Sequence, residues 1–190
     1  MFIALTGTPG TGKTTLASQL QKENITVISF QDFALKHHCD EGYDQEKDTR
    51  IIDIDKVNQA LEKIDQQDQT IIIEGHLSHL LSPIKKVIIL RCHPKILYKR
   101  LQQKDWKNQK IKENLEAEML DIILCEIMDI YHPKDVFEID TSYHTSTQLS
   151  STINNLINNQ FTVDPQMKPG QIDWSESLMD SNWMEENNGS

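Results

Sequence analysis

The chain has 190 residues, 29 acidic against 19 basic side chains, a formal net charge of −10 and a mean hydropathy of −0.52. That excess of carboxylate argues against sequence-independent binding to nucleic acid, which needs a cationic surface to release counterions. With 37% hydrophobic residues, no apolar run of membrane-spanning length and an N-terminus that enters a strand at once, the expectation is one cytoplasmic domain with a polar appendage, without a membrane span or leader.

The first predicted elements are an apolar strand, Phe2 to Leu5, and a helix from Lys13 to about Lys22, joined by Gly7-Thr8-Pro9-Gly10-Thr11-Gly12-Lys13-Thr14. This matches GxxxxGK[ST], the phosphate-binding loop, in the strand-loop-helix setting the motif requires. At ordinary residue frequencies the pattern arises by chance in roughly one chain of this length in a hundred, so a bland Gly-rich turn is disfavoured. Backbone N–H groups at a helix N-terminus can wrap a polyphosphate, and Gly7, Gly10 and Gly12 let the backbone come close. Lys13 would then reach the β- and γ-phosphates, Thr14 would hold Mg²⁺ through its hydroxyl, and Thr15 could contact the α-phosphate of ATP.

Further along, Thr26 to Ser29 read as a short strand. The segment 31–53 is polar and acidic, a short helical piece around Phe33 followed by a loop carrying Asp40, Glu41, Asp44, Glu46 and Asp48. Asp55 is expected to cap a helix that turns Val57, Ala60, Leu61 and Ile64 to one side. Thr70 to Ile73, ending in Glu74-Gly75-His76, and Lys86 to Leu90, ending in Arg91, are continuous apolar strands. Separated by helical patterns, they imply a parallel sheet covered on both faces, with ligands outside the carboxyl ends of the strands. A helix begins at Ile96, a basic stretch runs to Lys112, and one amphipathic helix should carry Leu115, Met119, Ile122, Ile123, Ile127 and Ile130. Val136 to Ile139 form a fifth strand, and Leu149 to Ile157 a last helix. Cys39, Cys92 and Cys125 are odd in number with no CxxC spacing, which suggests neither a disulfide framework nor a zinc site; His37 and His38 before Cys39 read as a solvated helix end.

Taken together, GTPGTGKT, GYDQEKD followed by IIDIDKV, IIIEGH, LRCHPKILYKRL, KIKENLEAE and PGQIDWSE resemble the adenylate kinase isoenzyme six family of atypical nucleoside monophosphate (NMP) kinases and ribosome-assembly factors, in its archaeal branch. The resemblance covers residues 1 to about 158. It implies a P-loop NTPase fold with a five-stranded parallel sheet in a domain of residues 1–160, an NMP-binding insertion at about 31–53 and a short lid at about 103–114; the composition of 161–190, acidic and without periodicity, implies a flexible tail. It also implies a Mg²⁺-ATP enzyme converting ATP and AMP to two ADP, with ATPase activity. Gly10, Gly12, Lys13, Thr14 and Thr15 match its phosphate loop. Glu74 and His76 match an acidic-x-His motif in which the carboxylate holds Mg²⁺ and the imidazole orients or deprotonates an attacking water.

Two departures stand out. Lys104 occupies the place of the lid arginine, keeping the charge but losing the bidentate fork, and Leu35 stands where an arginine often binds the NMP phosphate, leaving Lys36 or Arg50 as candidates. The partners implied are AMP, a small-subunit ribosomal protein of the S-eleven type and pre-small-subunit particles. The alternatives are a nucleotide-gated assembly ATPase and a P-loop kinase of another small metabolite. A GTPase is disfavoured because no NKxD motif occurs, and a Rossmann oxidoreductase because the glycines are spaced for a P-loop. Trp174 and Trp183 in the acidic tail call for burial, either against the core or on a basic partner, and a role in partner binding rather than catalysis is expected.

Overall fold

A computed structural model describes residues 1–22, 24–45, 49–64, 69–162 and 165–179. Its strands in chain order are β1 (Phe2–Thr6), β2 (Ile25–Ser29), β3 (Asp40–Asp44), β4 (Thr49–Ile52), β5 (Thr70–Glu74), β6 (Ile84–Arg91) and β7 (Val136–Asp140). The helices are α1 (Lys13–Leu20), α2 (Phe30–Lys36), α3 (Ile54–Leu61), α4 (Pro94–Gln102), α5 (Asn108–Met119), α6 (Ile122–Ile130), α7 (Ser146–Asn158) and α8 (Glu176–Met179).

Five strands join one parallel sheet in the order β2-β5-β1-β6-β7. The continuous apolar runs are explained by burial on both faces. Along β1, Phe2 and Ala4 enter a core shared with α2, α3 and α6, while Ile3 and Leu5 enter one shared with α1 and α7. Side chains of successive strand residues point to opposite faces, so a strand covered on both sides has no room for a polar alternation. The parallel register brings Thr6, Ser29, Glu74, Arg91 and Asp140 to one edge of the sheet. Since β1 is central and its neighbours β5 and β6 lead to opposite flanks, the loop after β1 opens at a topological switch point.

Three local expectations need correction. The stretch read as an acidic loop forms an antiparallel hairpin, β3 with β4, in which Arg50 pairs with Asp40 at 3.2 Å. Both faces are largely exposed, so the strands lack the apolar alternation by which sequence reveals a hairpin; Glu46 and Asp48 lie outside the described residues. The cap of α3 is Asp53, whose carboxylate accepts from Lys56 N–H at 3.0 Å, and not Asp55, which sits in the first turn. The single long helix after Lys112 is two, α5 and α6, broken at Asp121 in the left-handed region with φ 55°. The break re-aims the second half. Leu124 and Ile127 face the core while Ile122 and Ile130 are exposed.

After α7 the chain folds back. Phe161 packs on Phe137 with ring centroids 5.2 Å apart. Trp174 lies against the cluster formed by Leu97, Tyr98, Leu101, Ile111, Leu115 and Met119, its ring edge-on to His93 at 5.0 Å. Of the two sinks open to Trp174, the structure has the core; Trp183 lies outside the described residues.

Candidate active site

The site begins at the loop Gly7–Gly12. Gly7 adopts φ +134°, and a Cβ there would come within 2.3 Å of the Leu90 carbonyl oxygen, so the loop lies directly on β6. At Gly12 there is space for a side chain but φ is +100°, the left-handed conformation that turns the loop into α1. No side chain caps α1. Its first-turn N–H groups and the positive end of its dipole are therefore directed at the loop, as an anion site requires. Thr11 donates its hydroxyl to the Thr8 carbonyl at 2.9 Å, and the buried Thr141 hydroxyl reaches the carbonyls of Thr11 and Arg91, both at 2.9 Å, tying the loop to the end of β7.

Lys13 is only 8% exposed, and its ammonium donates to the carbonyls of Gly7 at 2.7 Å and Thr8 at 3.0 Å. Burial lowers its pKa to about 8; the nearby Lys104 lowers it too, while Glu74 and Glu118 hold it up. It remains the cation of the site at neutral pH. Next to it, the Thr14 hydroxyl donates to Glu74 Oε1 at 3.0 Å across 60 residues of sequence. A hydroxyl and a carboxylate at the mouth of a phosphate loop form the oxygen donor set that suits Mg²⁺, which takes one or two protein oxygens and completes its shell with phosphate and water. Among the described residues no group of three or more His, Cys, Asp or Glu could hold a metal. Thr15 is exposed in the first turn of α1.

His76 lies two residues beyond Glu74, just past the end of β5, and is exposed. Surrounding protein, then the charge of Lys13, then His79 and Lys110, lower its pKa to about 4, so the imidazole is neutral at physiological pH. That state can accept a proton. His79 is different. It is fully buried, with Nδ1 3.1 Å from the Thr6 hydroxyl and Nε2 3.1 Å from Glu126. With both ring nitrogens engaged, it ties the β5–β6 connection to the end of β1 and to α6.

Comparison with known proteins bears on the family and the fold. The model of a family described as AAA domain matches residues 3–121. Proteins named "Putative adenylate kinase" are 40% identical over 180 residues in Archaeoglobus fulgidus, covering 95% of each chain. Identity is 35% over 181 residues in Methanocaldococcus jannaschii, covering 95% of this chain and 96% of that one. The Pyrococcus abyssi protein is 38% identical over 177 residues, covering 93% and 92%. The chain belongs to this archaeal family. Its fold is that of the P-loop kinases: thymidylate kinase from Candida albicans superposes with a TM-score of 0.54 at 12% identity, over 84% of this chain and 91% of that one. YorR from Bacillus subtilis superposes with a TM-score of 0.53 at 20% identity, over 86% and 99%.

In this family member the segment between α4 and α5 is short and basic. Lys104 and Lys110 both lie over the ring of Trp106, with ammonium groups 4.7 and 4.8 Å from its centroid. Cation–π contacts of this kind hold two like charges near each other. Lys104 acts electrostatically on Lys13 and Lys110 on His76, so both ends of the pair bear on the site. Arg100 instead serves the framework, donating to the Thr141 carbonyl at 2.9 Å.

Sequence reasoning did not single out the buried group behind the loop. Arg91, 1% exposed, donates from Nε to Glu118 Oε1 at 2.9 Å, from a terminal nitrogen to Glu138 Oε1 at 2.5 Å, and from the other to the Glu118 carbonyl at 3.1 Å and to Asp121. Burial penalises its charge, but Glu118, Asp121 and Glu138 outweigh that and raise its pKa. Burial pushes Glu138 up against the opposing pull of Arg91. A signal was available in the pattern. Glu118 falls on the same stripe of α5 as Ile111 and Leu115, where a carboxylate must find partners or not be buried.

Proposed function

We propose that this chain is a nucleoside monophosphate kinase of the adenylate kinase type, transferring the γ-phosphoryl group of ATP to AMP, with an accompanying ATPase activity. The observation that carries this reading is the juxtaposition of a buried, cationic Lys13 with the Thr14–Glu74 pair at an uncapped helix N-terminus. The names of the archaeal relatives point the same way.

In this reading the N–H groups of the loop and α1 bind the phosphates, and Gly10 and Gly12 permit the approach. Lys13 turns from the loop carbonyls toward the β- and γ-oxygens, where a fixed cation stabilises the charge that builds on the transferring group. Thr14 and Glu74 hold Mg²⁺, which when bound neutralises phosphate charge and orients the γ-group. Lys104, carried on Trp106 in the lid at about 103–114, closes over the phosphates. The insertion at 31–53, with its exposed hairpin, receives the NMP. Product formation tests the proposal: with Mg²⁺-ATP and a panel of NMPs, ADP formed from AMP supports the kinase, and no transfer to any NMP overturns it.

A nucleotide-gated ATPase is the second reading, favoured by the neutral His76 beside Lys13, since an imidazole able to accept a proton suits an attacking water. AMP-independent phosphate release would mark it. The small-subunit maturation role, the S-eleven type partner and the pre-small-subunit particles rest on the family resemblance of the sequence motifs. Pull-down of basic ribosomal proteins with the full chain tests them.

A further inference from the structure

The phosphate-binding loop is held from behind by a side chain distant in sequence. Thr8, 2% exposed, donates its hydroxyl to Glu118 Oε2 at 2.5 Å, across 110 residues. Thr8 is also the residue whose carbonyl receives the Lys13 ammonium at 3.0 Å and the Thr11 hydroxyl at 2.9 Å. Whatever fixes Thr8 thus fixes both the path of the loop and one of the two acceptors of its lysine.

Glu118 is itself fixed. It is 2% exposed; its other oxygen accepts from Arg91 Nε and from Cys92 N–H, both at 2.9 Å. Arg91 in turn grips Glu138, and the second oxygen of Glu138 accepts the backbone N–H groups of Gln171 at 3.0 Å and Ile172 at 3.4 Å. The C-terminal segment is therefore joined to the nucleotide loop by an unbroken chain of hydrogen bonds, part-buried from Gln171 and Ile172 to Glu138 and buried from Glu138 through Arg91 and Glu118 to Thr8. Buried charged groups leave few alternative arrangements, because any partner lost inside costs the desolvation of the group left behind.

We propose that Glu118 is a positioning residue for the phosphate-binding loop, acting through the Thr8 hydroxyl, and that the docked segment at Gln171 and Ile172 keeps it in place through Glu138 and Arg91. The inference rests on reading the loop as the nucleotide site. Glu118 touches no nucleotide in this account. It sets where Thr8, and with it Lys13, stands.

The test uses the full-length chain with three substitutions and two readouts, hydrogen exchange at the loop amides without nucleotide and ATP affinity by calorimetry. Thr8→Val keeps the shape and removes the hydroxyl; loop exchange should rise about tenfold and ATP affinity fall about tenfold, the scale of losing a hydrogen bond to a charged acceptor. Thr8→Ser restores the hydroxyl and should return both to near the parent values. Gln171→Pro deletes one donor to Glu138, far from the loop, and should still raise loop exchange a few-fold. Equal damage from Ser and Val would overturn the role of the hydroxyl, as would unchanged loop exchange in Thr8→Val. A silent Gln171→Pro would overturn the link to the C-terminal segment. If the parent chain fails to bind ATP, the reading of the site falls, while loop exchange still decides whether Glu118 positions the loop.

Discussion

Replacing Lys13 by methionine separates what this residue does for the fold from what it does for chemistry. Burial lowers its pKa from 10.5 to about 8, a shift that costs the charged form roughly 3 kcal/mol of folding free energy, at 1.36 kcal/mol per pKa unit. Its bonds to the Gly7 and Thr8 carbonyls offset part of this, at about 1 kcal/mol each. Methionine has nearly the same length and removes both terms, so Lys13→Met should be as stable as the parent at pH 7 or up to about 2 kcal/mol more stable. For a chain of this size that is a rise in Tm of 0 to about 6 °C. Turnover should fall by about 10²–10³ or more, the loss expected when one fixed group that stabilises transition-state charge is removed. The pH dependence gives the sign. Between pH 8 and 10.5 the unfolded chain keeps the lysine proton that the folded chain has lost, so parent stability rises with pH in that window, and the gap to Lys13→Met should close. Thermal unfolding from pH 7 to 10 together with ATP turnover would measure both. Near-normal turnover would remove the loop from the chemistry, and a loss of several kcal/mol in stability would show that the burial argument has the wrong sign.

Gly7→Ala should be among the most damaging single changes, because a Cβ at 2.3 Å from the Leu90 carbonyl forces backbone to move; chemical denaturation should show a loss of about 3 kcal/mol or more, with nucleotide binding lost in parallel. His76→Ala should reduce phosphate release more than ATP affinity, measured on the same preparation, and an equal loss in both would make the residue structural. Since the His76 pKa is lowered to about 4, the parent's pH–rate profile should have no inflection near 6.5 that His76→Ala abolishes. Trp174→Ala should cost about 2 kcal/mol by denaturation, as part of a large ring is withdrawn from the α4–α5 cluster. Trp174→Phe should cost less than 1 kcal/mol, because the buried Nε1 it removes has no hydrogen-bond partner among the described residues.

The amino-acid sequence alone determined the phosphate loop, the helix it opens and the five parallel strands. Each is a local pattern, glycines at fixed spacing or an unbroken apolar run, and local patterns survive in one dimension. Glu74 was legible for the same reason, as the polar residue ending a buried strand. What the tertiary structure decided involves residues that meet only after folding. Thr8 and Glu118 are 110 positions apart, Thr14 and Glu74 are 60, and Arg91 gathers Glu118 from α5, Asp121 from the α5–α6 break and Glu138 from β7. Nothing periodic records those meetings. The same holds for the two histidines after β5: three residues apart and chemically identical in sequence, they part only when packing leaves His76 beside Lys13 and encloses His79 between Thr6 and Glu126. The break at Asp121 has no glycine or proline to announce it, and its carboxylate pairs with Arg91 arriving from the sheet. A polar hairpin such as β3–β4 escapes pattern reading because neither face is buried enough to leave an alternation.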